Sequence, residues 1–227
     1  MPFSGIGERV HEVRERISEA VRRGGHGQAV RIVAVTKTYG PEAAAAAWGA
    51  GIGIVGENRI QEALEKMDHV VEPVEWHLIG HLQRNKVKHL DRFAMFQALD
   101  SERLAVAINE RAVATDRRMP VLVQVNTSGE QTKGGFGLIE LRGVAPRLAA
   151  MSGLEVKGTM TMAPYEAPEK VLREVFSRCR EAVAVLRQAG LDARELSMGM
   201  SGDYEVAVEE GATMVRLGTI LFGARIP

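Results

Sequence analysis

Lys37 follows the apolar, β-branched run Ile-Val-Ala-Val-Thr, which makes it the sharpest chemical candidate in the chain. A lysine drawn toward the end of a buried strand is partly desolvated, which lowers its pKa and leaves more free amine near neutrality. A free amine is the group that forms an imine with an aldehyde. The same position also suits a lysine that buries only its stem and lifts its charge into solvent. Other polar residues end apolar runs in the same manner: Glu57 and Asn58, His81, Asp100, Asn126, Ser201, and Arg216 with Gly218 and Thr219.

Two glycine-rich segments near the C-terminus, MGMSGDYEVAVEEGA and RLGTILFG, carry the second candidate chemistry. Exposed amides from Gly199 to Gly202 and at Gly218 and Thr219, the Ser201 and Thr219 hydroxyls and a helix starting at Asp203 can converge on a dianion. Simple turns are the alternative for either segment alone. Arg216 lies two residues before Gly218, so on a strand it shares that face. A guanidinium pointing inward needs an acceptor, either a ligand atom such as a pyridine nitrogen or an acid such as Glu57.

The elements that must position these residues alternate short apolar runs with longer amphipathic ones, the pattern of parallel βα units. Strands are expected at 31–37, 52–57, 75–80, 95–100, 120–126, 156–162, 195–199 and 214–219. Helices fit between them, opened by Pro41 before the alanine run Ala43 to Ala47 and by Pro168 before a long stretch ending at Gly190. Eight strands without a G-x-G-x-x-G turn after the first favour a closed (β/α)8 TIM barrel over an open doubly wound sheet. In such a barrel the site lies at the C-terminal strand ends, and the phosphate loops follow strands seven and eight. An additional N-terminal helix, Glu8 to Arg23, precedes strand one and is expected to cover the last strand.

A single domain over residues 1–227 suits this length. Lys plus Arg and Asp plus Glu both number 29, so overall charge recommends neither nucleic acid nor an anionic membrane. No apolar stretch reaches the ~18 residues that cross a bilayer. One cysteine, Cys179, allows no internal disulfide and suits a reducing compartment, so a cytoplasmic protein is expected.

The segments VAVTK, GENRIQEALEKM, WHLIGHLQRNK, VNTSGEQTKGGF and the tail LSMGMSGDYEVAVEEGATMVRLGTILFGAR, in that order, resemble the YggS/PROSC family of pyridoxal phosphate homeostasis proteins. That family is in turn similar to the N-terminal barrel of alanine racemase. The resemblance implies pyridoxal 5'-phosphate bound through Lys37, Arg216 facing the pyridine nitrogen, and Ser201, Gly218 and Thr219 holding the phosphate. It also implies Asn58 and His77 in the pocket and Met200 beside the phosphate. Two departures bear on loops: Thr38-Tyr39-Gly40 stands where many relatives have a second basic residue or a proline, and QTKGGF replaces SKSGF, keeping Lys133, Gly135 and Phe136.

Several other features read as structure. His77 and His81 are four apart, yet no carboxylate or cysteine completes a metal set nearby. Cys179 falls in step with Val175, Phe176, Val183 and Leu186 on one helical face, as a core residue does. LQRNKVKH reads as a solvated helix face with acids close by, and the methionines of GTMTM and LSMGM as barrel packing.

Two functions fit these residues: a protein that holds pyridoxal 5'-phosphate and delivers it to PLP-dependent apo-enzymes, or a PLP-dependent amino-acid racemase using Lys37. The resemblance favours the first. A racemase of the related fold takes its second acid from a further domain, and only eight residues follow Thr219, so a monomer without robust catalysis is expected. A class I aldolase would share the lysine but gives Arg216 no task.

Overall fold

The computed structural model describes residues 3–127 and 134–223. Strands β1 (Arg31–Val35), β2 (Ile54–Glu57), β3 (Glu75–Leu78), β4 (Met95–Leu99), β5 (Met119–Gln124), β6 (Leu154–Met160), β7 (Glu195–Ser197) and β8 (Met214–Leu217) close into a barrel in chain order. Every pairing is parallel, and β1 closes on β8 with Arg31 beside Met214 and Ala34 beside Leu217. The outer layer comprises α1 (Ile6–Gly24), α2 (Glu42–Gly49), α3 (Ile60–Met67), α4 (Glu102–Ala114), α5 (Leu138–Ala149), α6 (Glu169–Gln188), α7 (Tyr204–Glu209) and α8 (Thr219–Phe222). Between β3 and β4 the crossover is a 3-10 helix, Arg84–Arg92, where the sequence suggested an ordinary amphipathic helix.

The strands are buried on both faces, which is why they read as nearly continuous apolar runs. Ala43, Ala44 and Ala47 are fully buried, so the small side chains of α2 let that helix lie close to the sheet. Helix α6 begins after Pro168 and buries Leu172, Val175, Phe176, Cys179, Ala182, Val183, Val185 and Leu186 along one side. The leading helix fills the ring beside the four-residue α8. Its buried face is Val10, Val13, Ile17 and Ala20, and Arg23 Nε donates to Glu209 Oε1 of α7 at 2.6 Å. Arg9 Nε also donates to the Leu221 carbonyl at 2.7 Å. Each buried aliphatic on that face is worth roughly 1.5–3 kcal/mol, so packing rather than the exposed ion pairs holds α1 in place.

Apart from β2, which ends at Glu57 as expected, the strands end one or two residues earlier than the sequence suggests. β1 stops at Val35, β3 at Leu78, β5 at Gln124, β7 at Ser197 and β8 at Leu217. Apart from Glu57 in β2 and Arg216 in β8, the polar residues therefore stand beyond the strands at the barrel mouth, where the backbone changes direction, as at Gly199 with φ 93° and Thr38 with φ 70°.

Candidate functional site

A cavity of about 760 Å³ opens at the C-terminal mouth of the barrel. Its lining includes Lys37, Asn58, Met200, Ser201, Arg216, Gly218 and Thr219, contributed by the turns after β1, β2, β7 and β8 and by β8 itself. On the side of β3 to β5 it is walled by Ile79, Gly80, His81, Asp100 and Gln124. The segment after β6, Met162 with Pro164 to Ala167, forms a rim.

Lys37 occupies the turn that follows β1 and is partly buried. Thr36 is fully buried beneath it, and Thr36 Oγ1 donates to Glu57 Oε1 at 2.6 Å. Glu57 is itself paired with Lys66, whose Nζ lies 2.6 Å away. Burial pushes the Glu57 carboxyl up, while the bonds from Lys66 and Thr36 pull against that shift. The pairing of Arg216 with Glu57 considered from the sequence is thus not formed.

Arg216 is anchored by β6 and β7. Its Nη1 donates to the Ser197 carbonyl and to Ser197 Oγ, both at 2.8 Å, and its Nη2 donates to the Thr161 carbonyl at 2.8 Å. Burial lowers its pKa to about 10, against the opposing charge of Asp203, so the guanidinium stays charged at neutral pH. Backbone carbonyls orient this cation without neutralising it. It lines the cavity with a full positive charge.

His77 departs from its expected place. It is buried and does not belong to the cavity lining. Gln97 Nε2 donates to His77 Nδ1 at 2.8 Å, and Ser197 Oγ donates to Gln97 Oε1 at 2.6 Å. A chain of polar groups thus runs through the barrel interior from His77 to Arg216 at the cavity wall. Burial, with a smaller contribution from the Arg31 charge, lowers His77 to about 3, so its ring is neutral. His81 is exposed, with Nδ1 2.9 Å from Asp100 Oδ2.

Around the last two strands the lining residues suit an anion. At Gly202 an added Cβ would meet nothing within 4 Å, so open space stands where a side chain would be. Ser201 Oγ accepts from the Ile220 amide at 3.4 Å and ties the two loops together. Asp203 is the one acid in this region of the lining, and it is turned to the backbone: its Oδ1 accepts from the Met200 amide at 2.5 Å.

Asn126 is not among the lining residues, and its place at the mouth is taken by Gln124, two positions earlier. Lys133 lies outside the described residues. Among the described residues no cluster of three His, Cys, Asp or Glu is spaced to hold a metal ion, and no helix is long and apolar enough to cross a membrane.

Residues 10–226 match the model of the alanine racemase N-terminal domain family. The chain is 41% identical over 223 residues to the pyridoxal phosphate homeostasis protein of Aquifex aeolicus, covering 96% of this chain and 97% of that one. It belongs to the pyridoxal phosphate homeostasis family. A further member, from Synechocystis, is 39% identical over 201 residues, covering 87% of this chain and 92% of that one. Among solved structures, PipY of Synechococcus elongatus with PLP bound superposes with a TM-score of 0.85 at 32% identity, covering 96% of this chain and 100% of that one. The family's homeostasis protein from Aquifex thus matches this chain almost end to end.

Proposed function

We propose that this chain binds pyridoxal 5'-phosphate through a Schiff base on Lys37 and serves as an intracellular, cytoplasmic store that delivers the cofactor to apo-enzymes, with no robust turnover of its own. The observation that carries this reading is the sharing of one cavity by an amine, a fixed cation and two small-residue loops: Lys37, Arg216, Ser201, Gly218 and Thr219. The bound state of PipY, a relative aligned over its whole length, supports the choice of ligand.

Pyridoxal 5'-phosphate supplies an aromatic aldehyde that a primary amine captures reversibly. The chain supplies the rest. Lys37 provides the amine from a turn whose base is buried. Arg216, held by Ser197 and Thr161, presents a cation to the ring nitrogen and disfavours a proton there, which weakens electron withdrawal by the ring. That arrangement suits holding the cofactor better than driving carbanion chemistry with it. Ser201, Gly218 and Thr219 receive the phosphate, with Asn58 and Met200 beside them in the lining. His77 acts at a distance, fixing Gln97 and through it Ser197 and Arg216.

Absorbance tests this directly. After unbound pyridoxal 5'-phosphate is removed, wild-type protein should keep an aldimine absorbance band, and Lys37→Ala should not. A wild-type spectrum in Lys37→Ala removes Lys37 from the role. Conversion of L-alanine to D-alanine, abolished by the same substitution, would overturn the binding-only part.

A further inference from the structure

We propose that Lys66 is a positioning residue for Lys37, its buried ammonium clamping the two backbone positions that flank the attachment amine. The proposal rests on Lys37 being that amine.

On sequence spacing Lys66 looks like the surface partner of Glu62, four residues earlier on α3. Its side chain is only 6% exposed, and it reaches under the Lys37 turn instead. An ammonium has three donors, and three acceptors meet this one: the Thr36 carbonyl at 2.8 Å, Glu57 Oε1 at 2.6 Å and Glu62 Oε1 at 2.7 Å. Each acceptor leads back to the turn. Thr36 is the residue before Lys37, and its hydroxyl donates to the same Glu57 oxygen. Glu62 Oε1 accepts the amide N–H of Thr38, the residue after Lys37, at 2.5 Å. The Thr36 carbonyl also accepts from the Tyr39 amide at 3.1 Å.

One cation therefore gathers the groups on both sides of Lys37. What it holds is a backbone conformation unfavourable to the residue present, since Thr38 is β-branched and has φ 70°. A pair serving only to join β2 and α3 would not need the Thr36 carbonyl or the Thr38 amide. Burial raises the Glu57 carboxyl, and Lys66 is the cation that opposes this. Taking Lys66 away alone would leave an uncompensated buried acid, so the informative change removes both charges.

The test uses the full-length chain as wild type, Lys66→Met with Glu57→Gln, Glu62→Ala, and Lys37→Ala. Amide hydrogen exchange at Thr38 and Tyr39 is measured without ligand, and pyridoxal 5'-phosphate affinity by titration. In the double variant and in Glu62→Ala, the Thr38 amide should exchange about tenfold faster and affinity should fall about tenfold, the factor for losing one charge-assisted hydrogen bond. Amides of β5 and β6 should exchange as in wild type. Glu62 is partly exposed, and Glu62→Ala leaves the buried Lys66–Glu57 pair in place, so that variant decides the matter even if the double variant does not fold. Wild-type exchange and affinity in Glu62→Ala, with Lys37→Ala failing to bind as a Schiff base, would overturn the positioning role alone. Wild-type spectrum and affinity in Lys37→Ala would overturn the attachment reading and this proposal with it.

Discussion

Thr38→Gly isolates the backbone strain beside the amine. Thr38 is exposed, and its φ of 70° lies in the left-handed region that β-branched residues avoid. Holding a non-glycine residue there costs roughly 1–2 kcal/mol. Glycine removes that cost but has more freedom to lose on folding, about 0.5–1 kcal/mol. The difference places the variant between unchanged and about 1.5 kcal/mol more stable than wild type. For a chain of this size about 1 kcal/mol moves Tm by roughly 2–4 °C, so the apo-protein should melt at the same temperature or up to about 6 °C higher. The amide bond to Glu62 remains available, yet the turn samples more conformations before binding. Recovering about 1 kcal/mol of backbone entropy in the unliganded state weakens pyridoxal 5'-phosphate binding about fivefold. Thermal melts of apo-protein and a spectroscopic titration measure both quantities. A Tm lowered by several degrees would refute the claim of strain, and unchanged affinity would refute its link to the site.

His77, lowered by burial to about 3, should show no ring titration by NMR between pH 8 and 5; a midpoint near 6.5 would contradict its placement. The unfolded chain takes up a proton there that the folded chain refuses, so His77's share of stability is complete above pH ~6.5 and is lost as pH falls toward 3. Gly80→Ala should lower Tm, because the new Cβ would stand 2.3 Å from the Asn58 carbonyl oxygen and 2.8 Å from its Cα; overpacking of this kind costs about 1–3 kcal/mol, and a wild-type melt would show that the turn yields freely. Cys179, buried and with its thiol pushed up to about 12, should resist a thiol reagent such as DTNB in native protein and react once unfolded.

The barrel was legible because each strand is a short apolar run bounded by glycine, proline or polar residues, and because eight such runs alternate with helical patterns. Lys37 and Arg216 stood out for the same reason, as charges attached to strands that have no solvent face. Most strand ends, β2 at Glu57 excepted, were not legible, since the ladder stops where neighbouring turns diverge, and that depends on both strands. His77 was assigned to the pocket by resemblance alone, and it is buried in β3 outside the cavity lining; alternation gives the face of a strand a residue occupies but not its depth along the barrel axis. Gln124 was passed over as an interior strand residue, though its two-residue spacing from Asn126 put both on one face. Lys66 was hidden by the ordinary look of EALEK, in which Glu62 and Lys66 have the i,i+4 spacing of an exposed helical pair. The missing signal was Glu57, an acid at the end of a buried strand that requires a cation from somewhere. Its partner came from the following helix rather than from Arg216.

Borohydride reduction of the pyridoxal 5'-phosphate complex, followed by peptide mapping, addresses the attachment itself. A single pyridoxyl group on the peptide carrying Lys37 is the expected result. Modification spread over surface lysines with Lys37 unlabelled would contradict the assignment of this cavity and its amine.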